Sequence, residues 1–172
     1  YAILDPELTV GMPPMLTLIT GLDVFSHACE SYMSVNSTTT TDMICEKIME
    51  DVATFLPRAV RQGDDLTARE RMLCSASLGG WMLACASAHV GHSIAHILGA
   101  TYHIPHGKAC ALSLPVTLEF LASTCPEKVK KVGMILGATF HGGEDAEQTG
   151  QKAARAYKDF CAGLGLTGSG ME

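Results

Sequence analysis

The sequence has few charged and few aromatic residues, which make up 17% and 6% of its 172 residues. The 12 Lys and Arg residues are scattered and do not form the basic stripe that is typical of nucleic-acid binding. The mostly apolar runs are broken within about 12 residues, which is too short to span a bilayer, and the start does not resemble a signal peptide. With 47% hydrophobic residues the composition is globular rather than disordered. We therefore expect neither nucleic acid nor a membrane as a partner.

Two common cysteine and glycine motifs are also missing. The seven cysteines contain no Cys-x-x-Cys pair, so a structural zinc site of four cysteines is not expected. Their number is odd and most lie in apolar helical patterns, which predicts buried, reduced thiols in a cytoplasmic protein. Gly142 and Gly143 do not belong to a suitable strand–helix unit, so they are predicted to form a loop rather than a dinucleotide-binding turn.

Helical periodicity dominates the sequence after residue 10 and predicts an all-α helical bundle. The first helix is expected to end at Gly21, and Pro57 should kink or interrupt the helix that contains it. The polar segment 36–41 can cap the following helix. Small residues from 74 to 88 predict a central, buried helix. The predicted helices cover about 15–20, 22–33, 42–61, 64–88, 91–100, a segment from 105 that includes 109–114, 118–122, 126–136 and 144–164.

Five of the seven histidines lie between residues 89 and 106. Neutral imidazole is the commonest metal ligand, which makes this concentration informative. His92 and His96 are four residues apart and share a helical face, and His106 lies between a proline and a glycine at a helix start. Far upstream, Asp23 and His27 are also four residues apart and share a face.

Each of these residues alone has an ordinary explanation. Asp23 and His27 could form an intrahelical hydrogen bond, a histidine at 92 or 96 could be a satisfied core residue, and His106 could belong to a capping turn. Together, one aspartate and three histidines from separate elements suit a divalent transition metal such as Fe(II) or Zn(II). A closed structural site would favour cysteine, so a site that holds a substrate oxygen is the better hypothesis.

Several motifs at consistent spacing point to one family. The sequence resembles the C-terminal helical domain of the iron-containing (group III) alcohol dehydrogenases over most of its length. The motifs are Asp5-Pro6, Met12-Pro13-Pro14, TGLDVFSHACESY at 20–32, GHSIAHILG at 91–99 and Pro105-His106-Gly107.

The resemblance implies roles for individual residues. The metal ligands would be Asp23, His27, His92 and His106. His96 would be a catalytic or cofactor-binding residue near the nicotinamide, where it could relay a proton or position the ring. His89 and His103 match no required histidine of the family and are expected to support the site, pack or lie at the surface. His141 lies in a glycine loop and is expected to be in solvent.

The resemblance also implies an activity. It is NAD(P)-dependent oxidation of an alcohol, or reduction of an aldehyde or ketone, by hydride transfer while iron or zinc polarises the substrate oxygen. The first residue is Tyr1 rather than Met, and residues 164–170 end in a turn, so we expect a fragment. Residues 1–10, which begin like a buried strand end, would be the tail of an N-terminal α/β cofactor domain. Residues 11–172 would form the helical metal-binding domain, truncated at its C-terminus.

Alternatives to this activity remain open at the level of sequence. The full-length protein is expected to be an enzyme and a possible homodimer, whereas this fragment alone is expected to be inactive. A non-catalytic helical metal-binding module is one alternative, and a structural bundle with incidental histidines is another. Glycerol-dehydrogenase-like and maleylacetate-reductase-like specificities are further possibilities, although the latter group departs from the intact ligand pattern.

Overall fold

The computed structural model describes residues 1–166, and every regular element within them is helical, which confirms the all-α prediction. A short 3₁₀ helix at Pro6–Thr9 precedes the α-helices. These are α1 (Pro14–Met33), α2 (Thr39–Arg61), α3 (Leu66–Ala86), α4 (Val90–Tyr102), α5 (His106–Leu121), α6 (Pro126–Ile135) and α7 (Ala146–Gly163).

Local sequence signals explain where several helices begin. The Thr38 side chain accepts a hydrogen bond from the Thr41 backbone N–H, and the Thr41 side chain accepts one from the Thr38 backbone N–H. The polar segment therefore caps α2 as expected. Asp65 caps α3 by accepting from the Ala68 N–H. Asp145 forms a second reciprocal cap at the start of α7. These contacts satisfy backbone donors that have no partner within the helix.

Helix α1 lies at the centre of the bundle and packs against α2, α3 and α5, while α5 and α6 pack against α7. The main apolar core contains fully buried side chains from these helices, including Leu18, Phe25, Ile48, Leu118 and Tyr157. Helix α4 instead packs mainly on α5, through a smaller apolar cluster. That cluster consists of Ala95, Ala109 and Cys110, with Leu98 and Ile104 against it.

The predicted helix end at Gly21 is wrong, because α1 runs through this position without a break. A Cβ atom at residue 21 would lie 2.4 Å from Leu56 Cδ1, so the glycine allows α1 and α2 to approach closely. Pro57 does not interrupt α2, which continues to Arg61. Buried residues on both sides of the proline, such as Leu56 and Ala59, hold the helix together by packing although one backbone hydrogen bond is lost.

Two further expectations need correction. The helices predicted at 109–114 and 118–122 are one helix, since α5 continues through the buried Pro115. The second half of α3 is only partly buried. Gly79 and Met82 face the bundle, whereas Leu78 and Trp81 are exposed on the other side. A stretch rich in small residues is therefore not buried on every face.

The segment before the 3₁₀ helix is exposed, and residues 1–5 have no regular structure in this chain. The assignment of residues 1–10 to the tail of an N-terminal α/β domain stays a prediction. The expected turn at 164–170 lies partly outside the described residues. No single described helix is both long and apolar enough to cross a membrane. Only when α3 and α4 are taken together, with a bend of 110° between them, do described helices have the length and composition of a membrane span.

Candidate metal centre

Three helices bring the four predicted ligands to one place. Asp23 and His27 lie one turn apart on α1. His92 lies in the first turn of α4, and His106 is the first residue of α5. The beginnings of α4 and α5 therefore meet the middle of α1 at the candidate centre.

The ligand atoms converge around one oxygen of Asp23. Asp23 Oδ1 lies 3.5 Å from His27 Nε2 and 3.6 Å from Nε2 of both His92 and His106. One ligand atom from each of the four residues lies within 4.8 Å of all the others. The His27 and His92 rings are stacked, with their centroids 4.9 Å apart. One oxygen and three nitrogens at these separations can surround a single ion.

Two buried atoms of the cluster lack a hydrogen-bond partner among residues 1–166. They are Asp23 Oδ1 and His92 Nε2, whose separation of 3.6 Å is too long for a hydrogen bond. Buried polar atoms without partners are rare and cost free energy. A cation bound between them would satisfy both atoms, so the residues present fit a metal ion.

The electrostatics of the cluster favour the charged forms of Asp23 and His92 but not that of His27. Burial raises the pKa of Asp23, but the neighbouring His92 and His27 rings outweigh it and the pKa lies below its ordinary value. Burial lowers the pKa of His27 despite the nearby Asp23 carboxylate. Burial also lowers the pKa of His92, yet contacts with Asp23, Cys110 and Glu30 raise it to about 11. A proton and a divalent cation would therefore compete for the same place.

Glu30 belongs to this site, although no role was predicted for it. Its carboxylate is 1% exposed, and Oε1 accepts a hydrogen bond of 2.7 Å from His92 Nδ1. Burial raises the pKa of Glu30, but hydrogen bonds from His92 and the His89 backbone bring it below its ordinary value. The signal was present in the sequence: Glu30 follows Asp23 by seven residues and His27 by three, so all three share a helical face.

Cys110 is a second neighbour that sequence reasoning missed. Its Sγ atom lies 3.5 Å from His106 Nε2, one helical turn along α5, and the side chain is buried. Burial raises the pKa of this thiol. The spacing of four residues from His106 could have indicated this contact.

The other histidines lie around or away from the cluster. His96 is exposed, with its ring centroid 5.4 Å from that of His106 and 6.4 Å from that of His92, so it adjoins the four ligands without joining them. His89 contacts Glu30, and its Nε2 lies 2.9 Å from the Glu30 backbone oxygen. His103 and His141 are exposed. His89 thus lies beside Glu30, and His103 and His141 lie at the surface, while the role expected of His96 stays a prediction.

Two glycines allow α4 and α5 to come this close to α1. A Cβ at Gly107 would lie 2.2 Å from the backbone oxygen of Ile19. A Cβ at Gly91 would lie 2.5 Å from Glu30 Oε1 and 2.9 Å from Thr117 Oγ1. Only a residue without a side chain fits either position without movement of its neighbours.

A cluster of ligand-type side chains between helices is typical of helical proteins that bind a metal ion. Comparison of the sequence with known families identifies the family. The chain belongs to the family described as Fe-containing alcohol dehydrogenase family, C-terminal, which matches residues 17–169. This confirms the resemblance inferred from the motifs.

Individual relatives agree with this assignment. The chain is 39% identical over 137 residues to 1-propanol dehydrogenase PduQ of Salmonella typhimurium, covering 80% of this chain and 37% of the relative. It is 35% identical over 165 residues to long-chain-alcohol dehydrogenase 1 of Geobacillus thermodenitrificans, a match that covers 96% of this chain and 42% of the relative. The solved structure of an alcohol dehydrogenase from Oenococcus oeni superposes on this chain with a TM-score of 0.85 at 32% identity. The match covers 95% of this chain and 42% of that structure. The chain thus spans only about two fifths of the length of these relatives.

Proposed function

We propose that this chain forms the metal-binding part of an NAD(P)-dependent dehydrogenase that oxidises an alcohol or reduces an aldehyde or ketone. The observation that carries the proposal is the convergence of one carboxylate oxygen and three imidazole nitrogens, two of whose buried atoms lack partners. Family membership supports the reaction class.

The proposed ligands are Asp23, His27, His92 and His106. A set of one carboxylate and three imidazoles suits both Fe(II) and Zn(II). When bound, the metal would supply Lewis-acid polarisation of a substrate oxygen. Asp23 would offset part of the positive charge, and the three helices would hold the ligands in place.

The exposure of the histidines indicates the side from which substrate and cofactor would approach. The His92 side chain is only 9% exposed, whereas that of His106 is 46% exposed and His96 beside it is also exposed. The open side of the cluster is therefore the side of His106 and His96. We propose that a ring nitrogen of His96 exchanges a proton with the substrate hydroxyl, or that the ring packs against the nicotinamide.

Metal content tests the ligand assignment. Protein purified anaerobically and loaded with Fe(II) or Zn(II) should hold about one ion per chain, as a single four-ligand cluster allows. His92→Ala and His106→Ala should lose the ion, whereas the exposed His103→Ala, as the matched control, should retain it. No stoichiometric metal, or full retention in the first two variants, would instead indicate a structural bundle with incidental histidines.

Activity tests the reaction class. A protein of the length of the relatives should oxidise primary alcohols with NAD or NADP, and short-chain and long-chain alcohols should both be screened because the relatives are named for both. We expect the 172-residue chain alone to be inactive, because it spans about two fifths of the length of those relatives. Metal binding without nicotinamide-linked turnover in the longer protein would favour a non-catalytic metal-binding module.

A further inference from the structure

Glu30 is a carboxylate in the interior of the bundle, where charged side chains rarely occur without compensation. Its two oxygens accept hydrogen bonds from the first turn of α4. Oε1 accepts from His92 Nδ1 at 2.7 Å and from the His92 backbone N–H at 3.0 Å. Oε2 accepts from the backbone N–H groups of His89 at 2.7 Å and Gly91 at 3.2 Å. One side chain of α1 thus satisfies four donors at the beginning of α4.

These contacts replace a cap that α4 does not supply itself. His89 stands at the N-cap position, and its side chain makes no capping hydrogen bond. The first N–H groups of a helix lack partners within the helix, and a negative charge near them is favourable. Because α4 packs mainly on α5, Glu30 provides a direct polar link between α4 and α1.

The ring contact also determines which nitrogen of His92 faces the cluster. A donor at Nδ1 that is held by the carboxylate directs Nε2 towards Asp23 Oδ1, 3.6 Å away. In metal sites such an outer carboxylate fixes the tautomer and the ring orientation of the ligand.

We propose that Glu30 is a positioning residue: its carboxylate accepts the Nδ1 proton of His92 and so directs Nε2 of that ring towards the position of the metal. The proposal rests on the proposed function, since it presumes that the cluster binds metal. Glu30 itself would not contact the ion, because both of its oxygens are engaged by α4.

Zinc affinity tests this role without any assay of activity. In competition with a chelating dye, Glu30→Gln should bind Zn(II) roughly 10- to 100-fold more weakly than the native protein, as is typical when an outer partner of a ligand is lost. Glu46→Gln is the matched control, because Glu46 is also a paired carboxylate but contacts Tyr32 and Lys131 away from the cluster. Its zinc affinity should stay within about twofold of native, since its partners are not ligands.

A second measurement separates positioning from general support of the fold. Nitrogen NMR of the zinc-loaded native protein should show His92 protonated at Nδ1, and Glu30→Gln should change the Nδ1 signal, because a neutral amide replaces the carboxylate. A loss of stability alone would leave that signal unchanged in the folded fraction.

Gly91→Ala keeps the charge of Glu30 but displaces it, since the new Cβ would lie 2.5 Å from Oε1. It should weaken zinc binding in the same direction. Native zinc affinity in both folded variants, or in Gly91→Ala alone if Glu30→Gln does not fold, would overturn the proposal. Failure of the native protein to bind either Zn(II) or Fe(II) would instead refute the proposed function.

Discussion

Two faces of α1 differ in what they contact. One face carries apolar side chains such as Leu18 and Phe25, which are fully enclosed by the main core. The other carries Asp23, His27 and Glu30, which face the beginnings of α4 and α5. The residues of α1 that pack in the core and those that form the candidate metal site therefore lie on different faces of one helix.

The two faces contribute to folding in opposite ways. Removal of apolar area from water is favourable, so the core face stabilises the bundle. On the site face, Asp23 Oδ1 and the facing His92 Nε2 of α4 are buried without hydrogen-bond partners in the described part of the chain, which costs free energy. A bound cation would offset that cost. Core substitutions should therefore change stability with little effect on metal affinity, whereas substitutions between the two regions should change both.

The largest expected effect on stability is that of Leu56→Ala. Leu56 is fully buried in the core, so loss of its side chain should lower the free energy of unfolding by about 2–5 kcal/mol. Zinc affinity should be unchanged, because Leu56 lies outside the cluster of ligands. Urea denaturation and zinc competition on the same preparation measure both quantities. A several-fold loss of zinc affinity would show that the two faces are coupled.

Gly21 offers a matched test of the packing of α1 against Leu56 of α2. Gly21→Ala alone should destabilise the protein, because its Cβ would lie 2.4 Å from Leu56 Cδ1. Combined with Leu56→Ala, the new methyl group enters the space left by the leucine, so the double variant should be more stable than Leu56→Ala. Simple additivity of the two losses would refute this packing explanation.

Gly107→Ala should have a smaller effect on stability than Leu56→Ala, but it should change both stability and zinc affinity. The added Cβ would lie 2.2 Å from the Ile19 backbone oxygen, so α5 must move away from α1. Such overpacking costs typically about 1–3 kcal/mol. Because His106 precedes this glycine, zinc affinity should fall as well. Thermal or urea denaturation with zinc competition checks both expectations.

Gly80→Ala is the control for a helical glycine without a close neighbour. No heavy atom lies within 4 Å of a Cβ at this position. Alanine favours helix by up to about 1 kcal/mol relative to glycine, so this variant should be neutral or more stable, with native zinc affinity. If Gly107→Ala behaves like Gly80→Ala, the close approach of α5 and α1 is not what positions His106.

Local signals made much of the fold predictable. Helical periodicity indicated the helices, and the polar segment before α2 indicated its cap, which Thr38 and Thr41 form. The spacing of four residues indicated that Asp23 and His27 share a face of α1. The resemblance to a family then joined them with His92 and His106, and the structure brings all four together.

What the sequence did not reveal depends on contacts between distant residues. Glycine by itself predicts a helix end, but Gly21 lies inside α1, where it allows close contact with Leu56 on another helix. Pro57 and Pro115 stay inside helices because surrounding packing outweighs a lost hydrogen bond. Glu30 shares a face with Asp23, but its partners at the start of α4 lie about sixty residues later, beyond the reach of local pattern.

The smallest effect should come from Glu144, a carboxylate that resembles Glu30 in its partners but lies in the loop before α7, away from the cluster. It accepts from the His141 and Gly142 backbone N–H groups and from Lys152 Nζ at 2.6 Å. Lys152 and then the His141 N–H lower the pKa of Glu144 from 4.5 to about 2. A depressed pKa in the folded state stabilises the protein above the unfolded value, and this contribution disappears as the pH falls towards 2.

The difference in free energy of unfolding between native protein and Glu144→Gln should therefore be constant above pH 5 or so and shrink between about pH 4.5 and 2. Urea denaturation over this pH range measures it. In a Lys152→Gln background the shrinkage should be weaker, because the ammonium that lowers the pKa most is gone. A difference that grows on acidification would contradict the assignment. Because Glu144 contacts His141, Gly142 and Lys152 and none of the proposed ligands, its loss should leave zinc affinity native and change stability less than Leu56→Ala. A strong effect of a carboxylate on zinc affinity is then expected only on the face of α1 that carries Asp23 and Glu30.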